Sequence, residues 1–226
     1  MTMSFAVANR ADASPLTIGD RVRFELHTDG ANWTVASFAV VGHVAMPAPA
    51  HSASEVGRRL REGDYLPAFS CLTEDQQPLT SDSLHGKATL LTFIFTRCPV
   101  PEYCPTMALR FAQLQKAIGA SPDLAGHVQL LSITLDPKFD QPAVLKAYSR
   151  AVGANPAVWR FVTGDEAEIA ALTKSFAVYT ERNGVTLNHT LCTALIGPDG
   201  RILQLWRGNG WKIDEVLAAF SAAIHE

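Results

Sequence analysis

Two cysteines, Cys98 and Cys104, lie between a predicted strand and a predicted helix. The strand is residues 88–96, a short and almost continuous apolar run of the kind that is buried on both faces of a sheet. The helix follows from Met107, because apolar residues recur from there at helical spacing until Gly119 ends the pattern. The two cysteines are therefore expected in the turn that joins a central strand to its helix.

The surroundings of Cys104 favour a reactive sulfur. Pro105 follows it, and proline is favoured at the first helical position, so Cys104 is expected at or near the N-cap. Backbone N–H groups and the positive end of the helix dipole stabilise a thiolate there, so we expect a depressed pKa for Cys104 and ready disulfide formation with Cys98. A thiolate is both a nucleophile and a soft metal ligand, which suits redox chemistry or metal binding. The alternative is a disulfide that only staples the loop, or two unrelated thiols.

The composition argues against several classes of protein. The 226 residues predict one large domain or one and a half, and 47% hydrophobic residues are ample for a core. A formal net charge of −3 without a basic cluster predicts no nucleic-acid partner. No apolar run approaches the roughly 20 residues that span a bilayer, and the first residues lack the features of a signal peptide. We therefore expect no membrane anchor in this chain.

Residues 1–42 alternate in the manner of three strands, with a turn signal at Asp29-Gly30. Three strands of this length make a poor independent domain, and the chain opens inside the first of them. We therefore expect these residues to be an incomplete small β-barrel whose first strands lie upstream of this sequence.

The beginning of the chain resembles the second half of the small periplasmic copper-binding barrel of the CusF type. The matching stretches are Met1–Phe5 and Gly19–Phe24. That family holds Cu(I) through two methionines of a Met-x-Met strand, a histidine and a stacked tryptophan. Met1 and Met3 match the methionines, whereas the histidine and the tryptophan would lie upstream. The resemblance implies a partial, OB-like barrel with two soft thioether ligands. Alternatively, Met1 is only an initiator and Met3 a surface residue.

Residues 43–65 are rich in alanine, proline, serine and charged residues, which predicts a linker with a short helix at 54–61. Residues 66–226 predict a second domain in the order β-α-β-α, a short insertion, then β-β-α. Strands that alternate with helices indicate an α/β sheet with helices on both faces. A dithiol directly after the first buried strand completes the pattern of a thioredoxin-like fold.

The second domain resembles the Sco/SenC family over most of residues 60–226. The matching stretches are Gly86-Lys87, Thr92–Pro99, Cys104-Pro105 with Met107, Ser132–Pro137 with Asp140, Asn188–Thr190 and Pro198–Gly200. The resemblance implies a thioredoxin fold that binds one copper ion, as Cu(I) or Cu(II), through Cys98, Cys104 and His189. It implies a role in metallating cytochrome c oxidase subunit II or another copper acceptor, or in managing its thiols with a thiol–disulfide reductant. The implied location is the periplasm or the extracytoplasmic face of the inner membrane, with a signal or anchor upstream.

The spacing of the cysteines departs from the family pattern. Three residues usually separate them in the family, whereas Pro99–Tyr103 places five between them here. Two prolines stiffen the longer loop, and a larger chelate ring costs little extra closure entropy, so both sulfurs still reach one metal ion. We expect the change to affect donor geometry and redox potential more than fold.

The chain has seven histidines, and the contexts of six are typical of surface, linker or terminus. His189 lies at the predicted start of a strand that a thioredoxin-like fold places beside the dithiol loop. An imidazole with two thiolates is a soft ligand set suited to Cu(I) and tolerable for Cu(II). The alternative is a solvated or hydrogen-bonded structural histidine.

Other residues near the motifs carry weaker signals. Cys192 is predicted to point away from His189, on the opposite face of the same strand, into the core. Cys71 is predicted to be a core or surface residue. Asp136 and Asp140 are candidates for partner docking or for supporting the site, with capping of the helix that follows them as the alternative.

Three functions are compatible with this sequence. A copper chaperone would hold copper through Cys98, Cys104 and His189 and deliver it to a partner. A thiol–disulfide oxidoreductase or peroxidase-like enzyme would cycle the two cysteines, with the histidine incidental. A copper sensor or store would bind without delivery. An enzyme of the thioredoxin type is expected to carry a two-residue spacer and a proline before the facing strand. Both are absent, which favours metal binding over exchange catalysis.

Overall fold

The computed structural model divides the chain into two compact units, residues 1–56 and residues 57–226. The residues that it describes are 6–16, 20–29, 32–43, 59–184 and 186–225. Each unit contains its own β-sheet.

The first unit is a three-stranded sheet in its described part. Its elements are β1 (Ala6–Val7), α1 (Arg10–Ala13), β2 (Asp20–Asp29) and β3 (Asn32–His43). Strands β2 and β3 form an antiparallel hairpin around the predicted turn, and β1 lies parallel to β3. Val35 is buried, whereas Val40 and Val41 are more than half exposed. The described part of this unit therefore has only a small core.

The predicted CusF-type barrel is not confirmed. Among the described residues of the first unit, the strands form one sheet in the order β1-β3-β2. Met1, Met3 and Gly19 lie outside the described residues. The copper-binding role of the two methionines therefore stays a prediction.

The second unit is built on a seven-stranded mixed sheet in the order β12-β11-β6-β7-β8-β4-β5. The strands of this unit are β4 (Ser70–Thr73), β5 (Pro78–Thr80), β6 (Ala88–Ile94), β7 (Val128–Thr134), β8 (Trp159–Thr163), β9 (Thr180–Asn183), β10 (Thr186–His189), β11 (Cys192–Ile196) and β12 (Ile202–Arg207). Its helices are α2 (Cys104–Ala120), α3 (Pro142–Ala151), α4 (Glu166–Ser175) and α5 (Ile213–Ala223), with a 3₁₀ turn at Ser81–Leu84. Strands β6, β7 and β8 are parallel, and the outer strands pair antiparallel. This architecture confirms the predicted α/β fold.

Strand β6 is an interior strand of the sheet, between β11 and β7. All seven of its residues are buried, as the apolar run predicted. Helix α2 buries its predicted face, which includes Met107, Phe111, Leu114 and Ile118. The rings of Phe111 and Trp159 lie 5.6 Å apart between centroids. Burial of this apolar area, at about 25 cal/mol per Å², holds the first turn of α2 close to the end of β6.

A hairpin that sequence analysis missed carries His189. Strands β9 and β10 pair antiparallel with Thr180 opposite His189, and Gly184 in the turn has a φ of 62°. The prediction that His189 and Cys192 share one strand is wrong, because β10 ends at His189 and β11 begins at Cys192. Strands β9 and β10 have four residues each and are mostly polar, so they lack the apolar alternation that reveals longer strands.

The end of the predicted linker belongs to the second unit. The backbone N–H of Leu60 donates to the carbonyl of Ser175, and Tyr65 forms an isolated β-bridge with Arg201. Most of the helix predicted at 54–61 falls outside the described residues, and its last three residues are not helical. Within the described ranges, none of the helices has both the length and the apolar character needed to cross a membrane.

Candidate metal centre

Three side chains from separate elements converge beyond the end of β6. Cys98 lies in the loop after the strand, Cys104 is the first residue of α2, and His189 is the last residue of β10. The two sulfur atoms and a ring nitrogen of His189 all lie within 4.8 Å of one another. The structure thus brings together the three residues that sequence analysis selected. Their role as metal ligands stays a prediction.

The spacing of these atoms fits a single ion. Metal–sulfur and metal–nitrogen bonds of about 2.0–2.3 Å allow two donors on one ion to lie at most about 4.6 Å apart. Cys104 Sγ and His189 Nε2 are 3.7 Å apart, which is inside that limit. The distances from Cys98 Sγ to the other two ligand atoms are at most 4.8 Å, only slightly above this limit. A small rotation of the Cys98 side chain therefore suffices to bring all three atoms onto one ion. Two thiolates with an imidazole form a soft ligand set that suits Cu(I).

The imidazole of His189 is oriented by its surroundings. Its Nδ1 lies 3.2 Å from the carbonyl oxygen of Thr190, which can only accept, so this bond places the proton on Nδ1. The lone pair of Nε2 then faces Cys104. The ring is also packed edge-on against Phe95 and Tyr103, at centroid distances of 5.6 and 5.8 Å. A hydrogen bond that fixes the tautomer is the usual support of a metal-binding histidine.

The three side chains differ in their access to solvent. Cys104 is 1% exposed and His189 is 7% exposed, whereas Cys98 is only partly buried. All four cysteines of the chain are free thiols in the structure. A reacting partner therefore reaches Cys98 before it reaches the other two side chains.

The charge of the pair resides on Cys98. The Cys104 thiol and the backbone N–H of Cys104 both donate hydrogen bonds to the Cys98 sulfur, so the pKa of Cys98 falls to about 4 although burial opposes the change. The pKa of Cys104 is raised instead, because it donates to Cys98 and is buried beside that thiolate.

The expectation of a depressed pKa at Cys104 is therefore wrong. The first N–H of α2 does stabilise a thiolate, as the helix geometry predicted, but the N–H of Cys104 points to the sulfur of Cys98. The sulfur of Cys104 is itself buried beside the imidazole of His189, 3.7 Å from its Nε2 atom. Which sulfur an N–H faces depends on the path of the loop and cannot be inferred from residue spacing.

Asp140 fixes the approach to Cys98. Its buried carboxylate accepts from the backbone N–H of Thr96 at 3.1 Å, from the Thr96 hydroxyl, and from the Thr134 hydroxyl at 2.6 Å. The capping alternative is wrong for this residue, because α3 has Gln141 at its N-cap without a side-chain cap. Asp140 thus joins the end of β7 to the loop that carries the cysteine.

Asp136 lies in the same loop after β7 and pairs with two arginines. Arg97 and Arg182 each donate to one of its carboxylate oxygens at 2.6 Å. Burial alone would raise the pKa of Asp136, but the hydrogen bonds from the arginines outweigh it and hold the pKa below its ordinary value. Sequence analysis selected Asp136 but not the arginines, because no local pattern connects residues so far apart.

The long spacer between the cysteines is anchored at its far end. The side chain of Asn209 donates to the carbonyl of Glu102 at 2.6 Å, and Tyr103 packs on His189. The extra residues therefore form part of the wall of the site.

Beside the spacer, a groove of about 460 Å³ runs from the two cysteines between α2 and α3, and its lining is largely apolar, including Leu109 and Val152.

The remaining cysteines lie outside this site. Cys71 and Cys192 are both buried, and burial raises the pKa of each to about 11. Neither belongs to the cluster formed by Cys98, Cys104 and His189. Burial of Cys192 in the core was predicted and is confirmed.

Comparison with known proteins identifies the family. The SCO1/SenC family model matches residues 58–225. The chain belongs to the SCO1/SenC family. A SCO1 protein homolog of Bacillus subtilis is 31% identical over 160 residues, which cover 69% of this chain and 80% of that protein. This confirms the resemblance that sequence analysis based on the cysteine, aspartate and histidine motifs.

Solved structures of the family share the fold. Bradyrhizobium japonicum ScoI, solved with copper bound, is 28% identical, with a TM-score of 0.61 over 71% of this chain and 99% of that chain. BsSco, a member of the Sco family of cytochrome c oxidase assembly proteins in which a disulfide switch was identified, is 26% identical. Its TM-score is 0.63 over 75% of this chain and 98% of that chain. The thioredoxin-like fold expected for the second unit is thereby confirmed.

Proposed function

We propose that this protein is a copper chaperone, which holds one copper ion through Cys98, Cys104 and His189 and delivers it during assembly of the cytochrome c oxidase copper centre. The convergence of two sulfurs and an imidazole nitrogen within 4.8 Å carries the proposal. Membership of the SCO1/SenC family supports it. So do the copper bound to Bradyrhizobium japonicum ScoI and the description of BsSco as one of the cytochrome c oxidase assembly proteins.

The arrangement of the ligands suits release as well as binding. Cys104 and His189 are buried and bind the ion from the protein interior, whereas Cys98 is partly exposed and is the ligand that a partner can reach. Three protein ligands leave a position open on the copper, where a thiolate or imidazole of the acceptor can bind. The ion then passes by successive exchange of ligands, without a change of oxidation state and without leaving the protein surface.

The acceptor in this proposal is subunit II of cytochrome c oxidase or another copper protein on the extracytoplasmic side of the membrane. A thiol–disulfide reductant is the second partner, because an oxidised Cys98–Cys104 pair cannot bind copper. Deletion of the gene should leave the oxidase without its subunit II copper. Expression of the wild-type protein should restore that copper, whereas the Cys98→Ser variant should not.

An anaerobic Cu(I) titration tests the ligand set. The wild type should show one tight site, and His189→Ala should lose at least about tenfold in affinity because a ligand is missing. His127→Ala is a matched control, since that histidine is exposed and remote from the cluster. Equal affinities of the wild type and His189→Ala would contradict the proposal.

A thiol–disulfide oxidoreductase is the second candidate, and the lowered pKa of Cys98 favours it. A partly exposed thiolate beside a buried second thiol is also the arrangement that dithiol exchange needs. The two functions are separated by His189→Ala. An exchange enzyme would retain its turnover with a disulfide substrate in this variant, whereas a chaperone would lose copper binding.

A further inference from the structure

A buried carboxylate links two of the segments that carry the candidate ligands. Asp136 is 1% exposed, and its two oxygens bind different arginines. Arg97 directly precedes Cys98 in the dithiol loop. Arg182 lies on β9, opposite Leu187 in the hairpin that ends at His189. The carboxylate therefore joins the loop of the outer thiolate to the hairpin of the imidazole.

Both ends of this link are held firmly. The backbone N–H of Asp136 donates to the hydroxyl of Thr134 at 2.9 Å, which fixes the carboxylate at the end of β7. The guanidinium of Arg97 also lies over the ring of Phe139, at 3.7 Å from its centroid. Charge-assisted bonds of 2.6 Å on each side leave little freedom in the separation of the two arginines.

We propose that Asp136 is a positioning residue, which through Arg97 and Arg182 sets the separation of Cys98 from His189. The inference rests on the proposed function, because the atoms that it positions are the copper ligands. Cys98 lies in an irregular loop and His189 ends a two-stranded hairpin outside the main sheet. Asp140 already ties the dithiol loop to the end of β7, and Asp136 adds a contact from the same end of β7 to the hairpin of His189.

Fold stability is a weaker explanation of the cluster. Buried ion pairs contribute little net stability, because desolvation offsets their attraction. A pair with one arginine would already neutralise the carboxylate. The second arginine adds a contact to the other ligand segment, and this is the contact that positioning requires.

Substitutions separate the two explanations. Asp136→Asn keeps the shape of the side chain but has one acceptor oxygen, so one arginine loses its partner and faces an amide N–H₂. Arg182→Gln cuts the link to the hairpin alone, and Arg182→Lys keeps the charge with a shorter reach. The side chain of Arg182 is 46% exposed, so these variants should fold.

The chain offers a matched control for each variant. Glu74 is also a buried carboxylate, paired with Arg160 on the far part of the sheet. Arg201 has a side chain with the same 46% exposure and pairs with an acidic residue away from the site. Glu74→Gln and Arg201→Gln therefore remove comparable interactions without touching the ligand segments.

The experiment measures Cu(I) affinity and the Cu(II) electron paramagnetic resonance spectrum of each variant. We expect Asp136→Asn and Arg182→Gln to lose about tenfold or more in affinity, as residues that orient metal ligands do. Their spectra should change, because the donor geometry relaxes. Arg182→Lys should be intermediate, and both controls should match the wild type in affinity and spectrum.

Unchanged affinity and spectrum in Arg182→Gln would overturn the proposal, even if Asp136→Asn failed to fold. If the wild type bound no copper, the proposed function would fail instead. The link is then tested by the rate of alkylation of Cys98 at one pH. A rate altered in Arg182→Gln but not in Arg201→Gln would support the link, and equal rates in all three proteins would overturn it.

Discussion

The lowered pKa of Cys98 predicts an unusual pH profile for its alkylation. With a pKa of about 4, Cys98 is a thiolate at every pH from 6 to 9, so its rate of reaction with iodoacetamide should be constant over that range. An unperturbed cysteine has a pKa of about 8.5, and its rate rises about tenfold for each pH unit below that value.

The absolute rate should be modest. At pH 6 only about 0.3% of an unperturbed thiol is ionised, so Cys98 has about 300 times more thiolate. A pKa lowered by about 4.5 also weakens the nucleophile, by about 100-fold for a Brønsted coefficient of about 0.45. The net result is a rate about three times faster than an ordinary thiol at pH 6 and about 25 times slower at pH 8. The shape of the profile, rather than the rate itself, identifies the thiolate.

The assay is quenched alkylation between pH 5 and pH 9, with the modified peptide identified by mass spectrometry. Cys98→Ser measures the background from the other thiols, which are buried. Cys104→Ala removes the strongest hydrogen bond to the thiolate, so the pKa of Cys98 should rise and the rate should become dependent on pH. A wild-type rate that climbs about tenfold per pH unit between pH 6 and 8 would refute the assignment of the charge to Cys98.

Three further predictions concern stability and redox state. Asp140→Ala should lower the free energy of unfolding by about 2–5 kcal/mol in urea titrations, because buried donors lose their acceptor. Asp140→Asn keeps one acceptor oxygen and should lower it by less, so equal losses in the two variants would contradict this prediction. Phe111→Ala should lower the free energy of unfolding by about 3–5 kcal/mol, because it leaves a cavity in the core. Leu109→Ala on the same helix is the control, because its side chain is 67% exposed, and it should change the free energy of unfolding by less than about 0.5 kcal/mol. Mild oxidation should give a single Cys98–Cys104 disulfide in peptide maps, and a dominant bridge between the other two cysteines would refute the assignment of the reactive pair.

Local patterns were sufficient to predict the central strand and its helix. The apolar run at 88–96 is a strong signal because a strand that is buried on both faces must be apolar throughout. The helical spacing of Met107 with later apolar residues is a strong signal because a helix that is buried on one face must be apolar along that face. Pro105 then placed Cys104 at the start of the helix. These three observations predicted that both cysteines lie between the central strand and the start of its helix. The structure confirms this, because β6 ends at Ile94 and α2 begins at Cys104.

Long-range geometry explains what the sequence could not predict. The hairpin of His189 is short and polar, so it leaves no periodic signal. The link from Asp136 to Arg97 and Arg182 joins residues 39 and 46 positions away. Charged side chains carry no pattern that specifies such pairing. The sequence also predicted the wrong thiolate, Cys104 instead of Cys98, because the choice depends on which sulfur the backbone N–H of Cys104 faces.

The central claim is that Cys98, Cys104 and His189 bind one copper ion together. X-ray absorption of the Cu(I)-loaded protein tests it most directly, because it counts the scattering atoms around the metal. We expect two sulfur atoms and one nitrogen atom in the wild type, with the nitrogen lost in His189→Ala and one sulfur lost in Cys98→Ser. A first shell of sulfur atoms alone, or one that His189→Ala leaves unchanged, would contradict the account.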